Sequence, residues 1–399
     1  MSEARITIIV PTYNRSQFIG ESLRSALDQD LAPQEIIVVD DGSTDDTASV
    51  VAGFGPRVAY LRKPNGGKST AINLGLDRAR GDLILILDDD DLLPPGTLRG
   101  HVDALAAAPD AGFSFGSFAR FRGPGALAHR SDDIERMPAH DDRRLAVKLM
   151  ENCFLTNPTW MVRAAAQQEA GRYSEELIRG QDFDMILRLA RRFEGALVDR
   201  IVLYQRKHLA MRGSEASAAM AEDTVDRWVA SDRLSFERYD SSWTMADFRP
   251  WDSSPDRAPL ERLTTLQRAV IMFIRKAYDR SEAHFARYRD ELGDEDPQPS
   301  ELRLCRNLLG SRYGIAELAL AAETQSLWLR QLAFPTAIRS AFASHLRWRL
   351  RDALRGRRFA EAIGLARFGL RAFGAPALSS LVRRHRSGIE ARLNRAPSR

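Results

Sequence analysis

Cysteine is almost absent from this chain. Cys153 and Cys305 stand far apart with no CxxC pair, which excludes a disulfide framework and a cysteine-built structural zinc site and fits a reducing, cytoplasmic compartment. Long apolar runs are missing too. None approaches the roughly 20 residues of a bilayer-spanning helix, and Met1 to Arg5 lead straight into an apolar strand, so no secretory leader is expected. The nucleotide-binding fingerprints are incomplete. Gly66-Gly67-Lys68-Ser69-Thr70 ends like a phosphate-binding loop, but Arg62 stands where the first glycine of GxxxxGK[ST] belongs, and no GxGxxG follows the first apolar run. A P-loop triphosphatase is thereby rejected, and a dinucleotide fold is unsupported.

The charge balance is uneven. The net charge of +4 conceals fifteen arginines between Thr336 and Arg399 against Asp352, Glu361 and Glu390, so that segment carries +12 and the remainder −8. A basic tail on an acidic body suggests an anionic partner for the tail, and the body has no nucleic-acid-binding character. The bland alternative is a well-solvated helical face.

With 399 residues and 44% apolar content, the chain can bury a large core in two or three domains. Apolar runs at Ile6–Val10, Gln34–Val39, Val58–Leu61 and Leu83–Leu87 read as buried strands, with amphipathic stretches between them that read as helices. Alternation of this kind predicts an α/β doubly wound sheet whose ligand crevice lies at the carboxyl ends of the strands. Tyr13, Asp40 and Asp88 should converge there. GFSFGSFARF at 112–121 reads as a pair of strands, and Arg122 to Asp142 as a surface loop.

The most informative stretch is GDLILILDDDDLLPP at 81–95. Four consecutive carboxylates, Asp88 to Asp91, repel one another at the tip of a core strand, so a hard divalent cation with oxygen ligands is the expected compensation; a solvated acidic turn is the alternative. Farther on, Phe183, Ile186, Leu187 and Ala190 share a helical face, which puts Asp182 at the helix start. Orphan amides there favour its ionised form, as suits a base; a simple cap is the bland reading.

Six segments in order, IIVPTYNR, IIVVDDGSTDDT, NGGKSTAINLGL, LDDDDLLPP, QDFDMILRLA and YQRKH, make residues 1–212 resemble a family 2 glycosyltransferase of the GT-A fold. The resemblance implies transfer of a sugar, with inversion, from a nucleotide-diphosphate donor, a UDP-sugar first of all, to a glycan or lipid-linked acceptor, with Mn2+ or Mg2+ as cofactor. It assigns Pro11, Thr12, Tyr13 and Asp40 to the base pocket and Lys68 to the nucleotide or its phosphates. Asp88 and Asp89 fall near the donor, Asp88, Asp90 and His208 on the metal, and Asp182 on the acceptor hydroxyl as general base. Trp160 would be a sugar platform or a core residue. Two departures, Ile72 where the family often has Arg and Gln181 where it usually has Glu, leave the base open and suit the alternative of an inactive GT-A scaffold. Loss of the carboxylate at 181 should also lower the pKa of Asp182.

Beyond Arg212 the pattern turns helical. The expected organisation is a helical extension at 213–292, a linker at 293–300 around Gly293-Asp294-Glu295-Asp296-Pro297, and an Arg-rich helical domain at 301–399. The Arg-rich helices suggest peripheral contact with the inner membrane face.

Overall fold

A computed structural model of the chain describes residues 4–123, 133–137, 145–177, 179–207, 224–250, 258–309 and 332–375. It divides into two compact units, Met1–Leu149 with Cys153–Ser231, and Met150–Asn152 with Asp232–Arg399.

The first unit is an α/β sandwich around one sheet. The four apolar runs form β1 (Ile6–Thr12), β2 (Glu35–Asp40), β3 (Ala59–Arg62) and β4 (Leu83–Ile86), separated by α1 (Ile19–Leu27), α2 (Thr47–Ala52) and α3 (Lys68–Leu76). They pair in parallel in the order β3-β2-β1-β4. Beyond α4 (Thr97–Ala107) the chain forms β5 (Ala111–Phe121), β6 (Ile134–Glu135), α5 (Leu145–Glu151), β7 (Trp160–Arg163), α6 (Ala164–Ala170), α7 (Gln181–Arg192) and β8 (Glu194–Arg206). β7 runs antiparallel between β4 and β5, and β8 lies parallel to β5, so the sheet is mixed rather than wholly parallel. The strand pair expected at 112–121 is one strand of 11 residues, with register irregularities against β8. Every residue of β1 is buried, as expected of a strand with both faces covered, and Ile8, Val10, Val38, Leu85 and Leu87 pack in one core cluster with Ile19 and Leu23 of α1.

The second unit is helical. Its first helix, α8 (Thr224–Ser242), carries the boundary between the units, and α9 (Leu260–Ile274), α10 (Tyr278–Leu292) and α11 (Pro299–Arg306) follow. α9 is buried along nearly its whole length, the mark of a helix at the centre of a bundle. Residues 293–300, expected as a linker, lie inside this unit. Arg262 of α9 donates to Glu295 (2.5 Å) and Glu301 (2.8 Å), and Glu301 closes a capping box with Gln298. Two helices farther on, Leu346–Arg355 and Phe359–Phe373, pack against each other.

Candidate active site

The strand ends meet as the alternation implied. Thr12 stands opposite Asp40 in the β1–β2 register, and the Leu87 amide donates to the Ile9 carbonyl at 2.9 Å, which brings Pro11, Thr12, Tyr13, Asp40 and Asp88 to one edge. Pro11 and Thr12 are buried and Tyr13 half-buried. The loops after β1 and β2 are laced together by Asn14. At φ 52° it uses a conformation that Asn tolerates better than most residues, and its Oδ1 accepts from the Thr44 amide at 2.8 Å while its own amide donates to Ser43 Oγ at 2.9 Å.

Asp40 is placed differently from expectation. It is 0% exposed, the Ser43 amide donates to Oδ1 at 2.7 Å and the Tyr60 hydroxyl donates to Oδ2. Both oxygens are satisfied inside the protein, so Asp40 shapes the loop. Asp41 does similar work, accepting from Lys63 Nζ (2.6 Å) and from the amides of Gly66 (2.9 Å) and Gly67 (2.7 Å). Gly67 has φ +92°, a conformation that glycine adopts freely, and directly after it Lys68 opens α3.

Asp88 to Asp91 form a tight turn closed by the Asp91 amide on the Asp88 carbonyl (3.2 Å). Protein cations already meet part of its charge. Lys68 Nζ is 2.6 Å from Asp88 Oδ1, and Arg15 Nε is 3.7 Å from Asp89 Oδ1. Asp91 Oδ1 accepts from the Arg206 amide at 2.8 Å. Burial, with Asp90 next to it, still pushes Asp89 up to about 7 against the pull of Arg15. The Lys68 and Asp88 side chains keep 37% and 22% of their surface, so both remain open to solvent in part.

Asp182 joins this cluster from α7. Its Oδ1 accepts from the Phe183 amide (2.9 Å) and its Oδ2 from Thr156 Oγ1 (3.2 Å). The helix start and the missing carboxylate at 181 were expected to hold its pKa down, but burial dominates and raises it, with Lys68 opposing and Asp88 reinforcing the rise. Burial also works against the Lys68 ammonium, yet Asp88 and then Asp182 outweigh it and raise its pKa. Lys68, Asp88 and Asp182 are therefore one electrostatic unit. Tyr173, buried beside it, has its hydroxyl pKa raised by burial first and Asp182 second, and donates to Asn157 Oδ1 at 2.8 Å.

Several expected residues play other parts. Trp160 is 1% exposed in β7, a core residue rather than a platform. His208, and much of the loop Arg122 to Asp142, lie outside the described residues. Sequence reasoning missed Arg15, Thr156 and Arg206; the first and last sit in the landmarks IIVPTYNR and YQRKH, which were their only signal. A cavity of about 370 Å³ beside α1 and α2, walled by Arg24, Phe54 and Arg57 among others, includes none of the site residues.

Residues 7–170 match the family described as "Glycosyl transferase family 2". An uncharacterized glycosyltransferase of Rickettsia prowazekii (strain Madrid E) is 24% identical over 225 residues, 56% of this chain and 70% of that one. The GalNAc(5)-diNAcBac-PP-undecaprenol beta-1,3-glucosyltransferase of Campylobacter jejuni is 41% identical over 103 residues, 24% of this chain and 32% of that one. Of four further rickettsial glycosyltransferases the chain spans between 31% and 37%. The crystal structure of S. aureus TarS 1–349 in complex with UDP-GlcNAc is similar at 19% identity, 90% of each chain and a TM-score of 0.47. Residues 7–170 of the first unit are therefore similar to glycosyl transferase family 2, and the strand order and the six sequence landmarks accord with that likeness.

Proposed function

We propose that the first unit transfers a sugar from a nucleotide-diphosphate donor, a UDP-sugar, to a hydroxyl of a glycan or lipid-linked acceptor, with inversion and with Mn2+ or Mg2+. The observation that carries this is the ion pair of Lys68 and Asp88 set beside Asp182. Asp182 takes the acceptor proton as the acceptor oxygen attacks the anomeric carbon and the bond to the diphosphate breaks. One base and one displacement give inversion. A carboxylate whose pKa is raised by burial is a stronger base than a solvated one, and Thr156 and the Phe183 amide hold it in place.

The donor set suits a hard cation. Among the described residues no group of three or more His, Cys, Asp or Glu is arranged to hold a metal alone, but Mg2+-type ions need only one or two carboxylates when substrate phosphates complete the shell. Asp89, lifted to about 7 by burial and by Asp90, marks a pair short of positive charge. Asp88 and Asp90 would hold the ion, with Asp89 beside them; when bound it neutralises charge on the departing diphosphate. Pro11, Thr12 and Tyr13 would wall the base, and Asp40 would act through the loop it shapes. Lys68 would exchange its bond with Asp88 for the diphosphate.

The test is transfer from a panel of nucleotide sugars with and without Mn2+. Asp90→Ala and Asp182→Asn should each cut it by about 100-fold or more while circular dichroism stays unchanged. Full turnover in both would defeat the assignment.

The same reading puts a cytoplasmic enzyme against an anionic membrane face. No helix among the described residues is long and apolar enough to cross a membrane. Phe359, Ile363 and Leu370 form one stripe on their helix and, with Trp348, are more than half exposed. Eight arginines lie between Leu346 and Phe373 against Asp352 and Glu361. The protein should float with anionic and not with neutral liposomes; equal partitioning would remove the membrane from the proposal.

A further inference from the structure

Arg206 ends β8 and is 2% exposed. A guanidinium is costly to bury unless every donor is used, and here the fork is well occupied. Nε donates to the Asp90 carbonyl at 2.9 Å, Nη1 to the Gly123 carbonyl at 2.5 Å, and Nη2 to Glu21 Oε2 of α1 at 2.7 Å. The rings of Phe18 and Phe121 lie 5.1 and 4.6 Å from its central carbon. Its own amide donates to Asp91 Oδ1, and two residues earlier Tyr204 exchanges both backbone bonds with Leu92 (3.0 and 2.9 Å). One residue thus grips the acidic turn at the Asp90 carbonyl and at the Asp91 side chain.

Granted the donor and cation site proposed above, we propose that Arg206 is the positioning residue of that site: it holds the Asp90 backbone from behind, so that the carboxylates of the turn are already set for the cation and the diphosphate. The physical need is plain. Four adjacent carboxylates repel, and the bond that closes the turn is long at 3.2 Å. A turn left to itself would have to be ordered at the moment of binding, at a cost in affinity. Arg206 binds the turn through a carbonyl, not through the carboxylate oxygens a cation requires. Lysine cannot replace it, because a single ammonium nitrogen cannot reach a carbonyl on the turn, the Gly123 carbonyl just beyond β5 and a carboxylate on α1 in the directions of a planar fork.

The test is calorimetric titration of UDP into the full chain with and without Mn2+, beside metal-free melting curves. Arg206→Lys should weaken Mn2+-dependent UDP binding by about 10- to 100-fold, the usual effect of losing a group that orients metal ligands. Its metal-free UDP affinity should stay within about threefold. Glu21→Gln leaves the bond to Asp90 and loosens only the far end of the fork; it should weaken Mn2+-dependent binding in the same direction and by less, and it decides the matter should Arg206→Lys not fold. Wild-type affinity in either folded variant, or equal losses with and without Mn2+, would overturn the role of Arg206 alone. Wild-type protein that binds UDP without regard to Mn2+ would overturn this role and the cation reading together.

Discussion

The Lys68 ammonium lies 2.6 Å from Asp88 Oδ1, and its charge also acts on Asp182. A residue that opens α3 after a glycine turn thus joins the end of β4 to the start of α7. Lys68 lowers the Asp182 pKa against burial, so Lys68→Met should let it rise. The acid limb of the pH dependence of kcat/KM should then move to higher pH. An unmoved limb would separate the two residues.

Asp182→Asn should reduce turnover by about 10²- to 10⁴-fold, the usual contribution of a positioned base, without loss of stability. The folded pKa is raised above the ordinary carboxylate value of 3.8, so the stability this group allows is present below the unfolded pKa and lost as pH rises through the folded one. At pH 7.5 the neutral amide avoids that cost, and calorimetry should show an unchanged or higher Tm. A clearly lower Tm would mean that the carboxylate serves the fold.

Asp89 obeys the same sign with a stated window. Between 3.8 and about 7 its contribution to metal-free stability should decline as pH rises. Asp89→Asn should flatten the difference between Tm values at pH 6 and pH 8. Binding of Mn2+ with UDP below pH 7 should release protons, since a cation beside the Asp89–Asp90 pair favours the ionised form. Titration in buffers of different ionisation enthalpy measures that release.

In the second unit, Arg262 faces Glu301, which is 0% exposed and also accepts from Tyr288 at 3.0 Å. Arg262→Met would leave a buried carboxylate uncompensated, and the unit should lose about 3–5 kcal/mol in denaturant unfolding. The double change Arg262→Met with Glu301→Leu should regain much of that loss. No recovery would place the cost in packing instead.

Much of this molecule was legible before any fold was known, because local patterns specify local structure. The largely apolar stretches at Ile6–Val10, Gln34–Val39 and Leu83–Leu87 read as strands with both faces covered, and the polar residues directly after them were expected at one sheet edge. Helical spacing from Phe183 to Ala190 placed Asp182 at a helix start. Contacts between distant segments decided the rest. β5 and β8 pair across some eighty residues, which turned the expected strand pair at 112–121 into one strand and carried Arg206 behind the acidic turn. Tyr60 and the Ser43 amide enclosed Asp40, β7 buried Trp160, and Arg262 drew residues 293–300 into a single unit. Periodicity tells a residue which side of its own element it occupies. Which neighbour fills that side, and whether a carboxylate there meets water, an amide or a guanidinium, depends on pairings that no local stretch of chain contains.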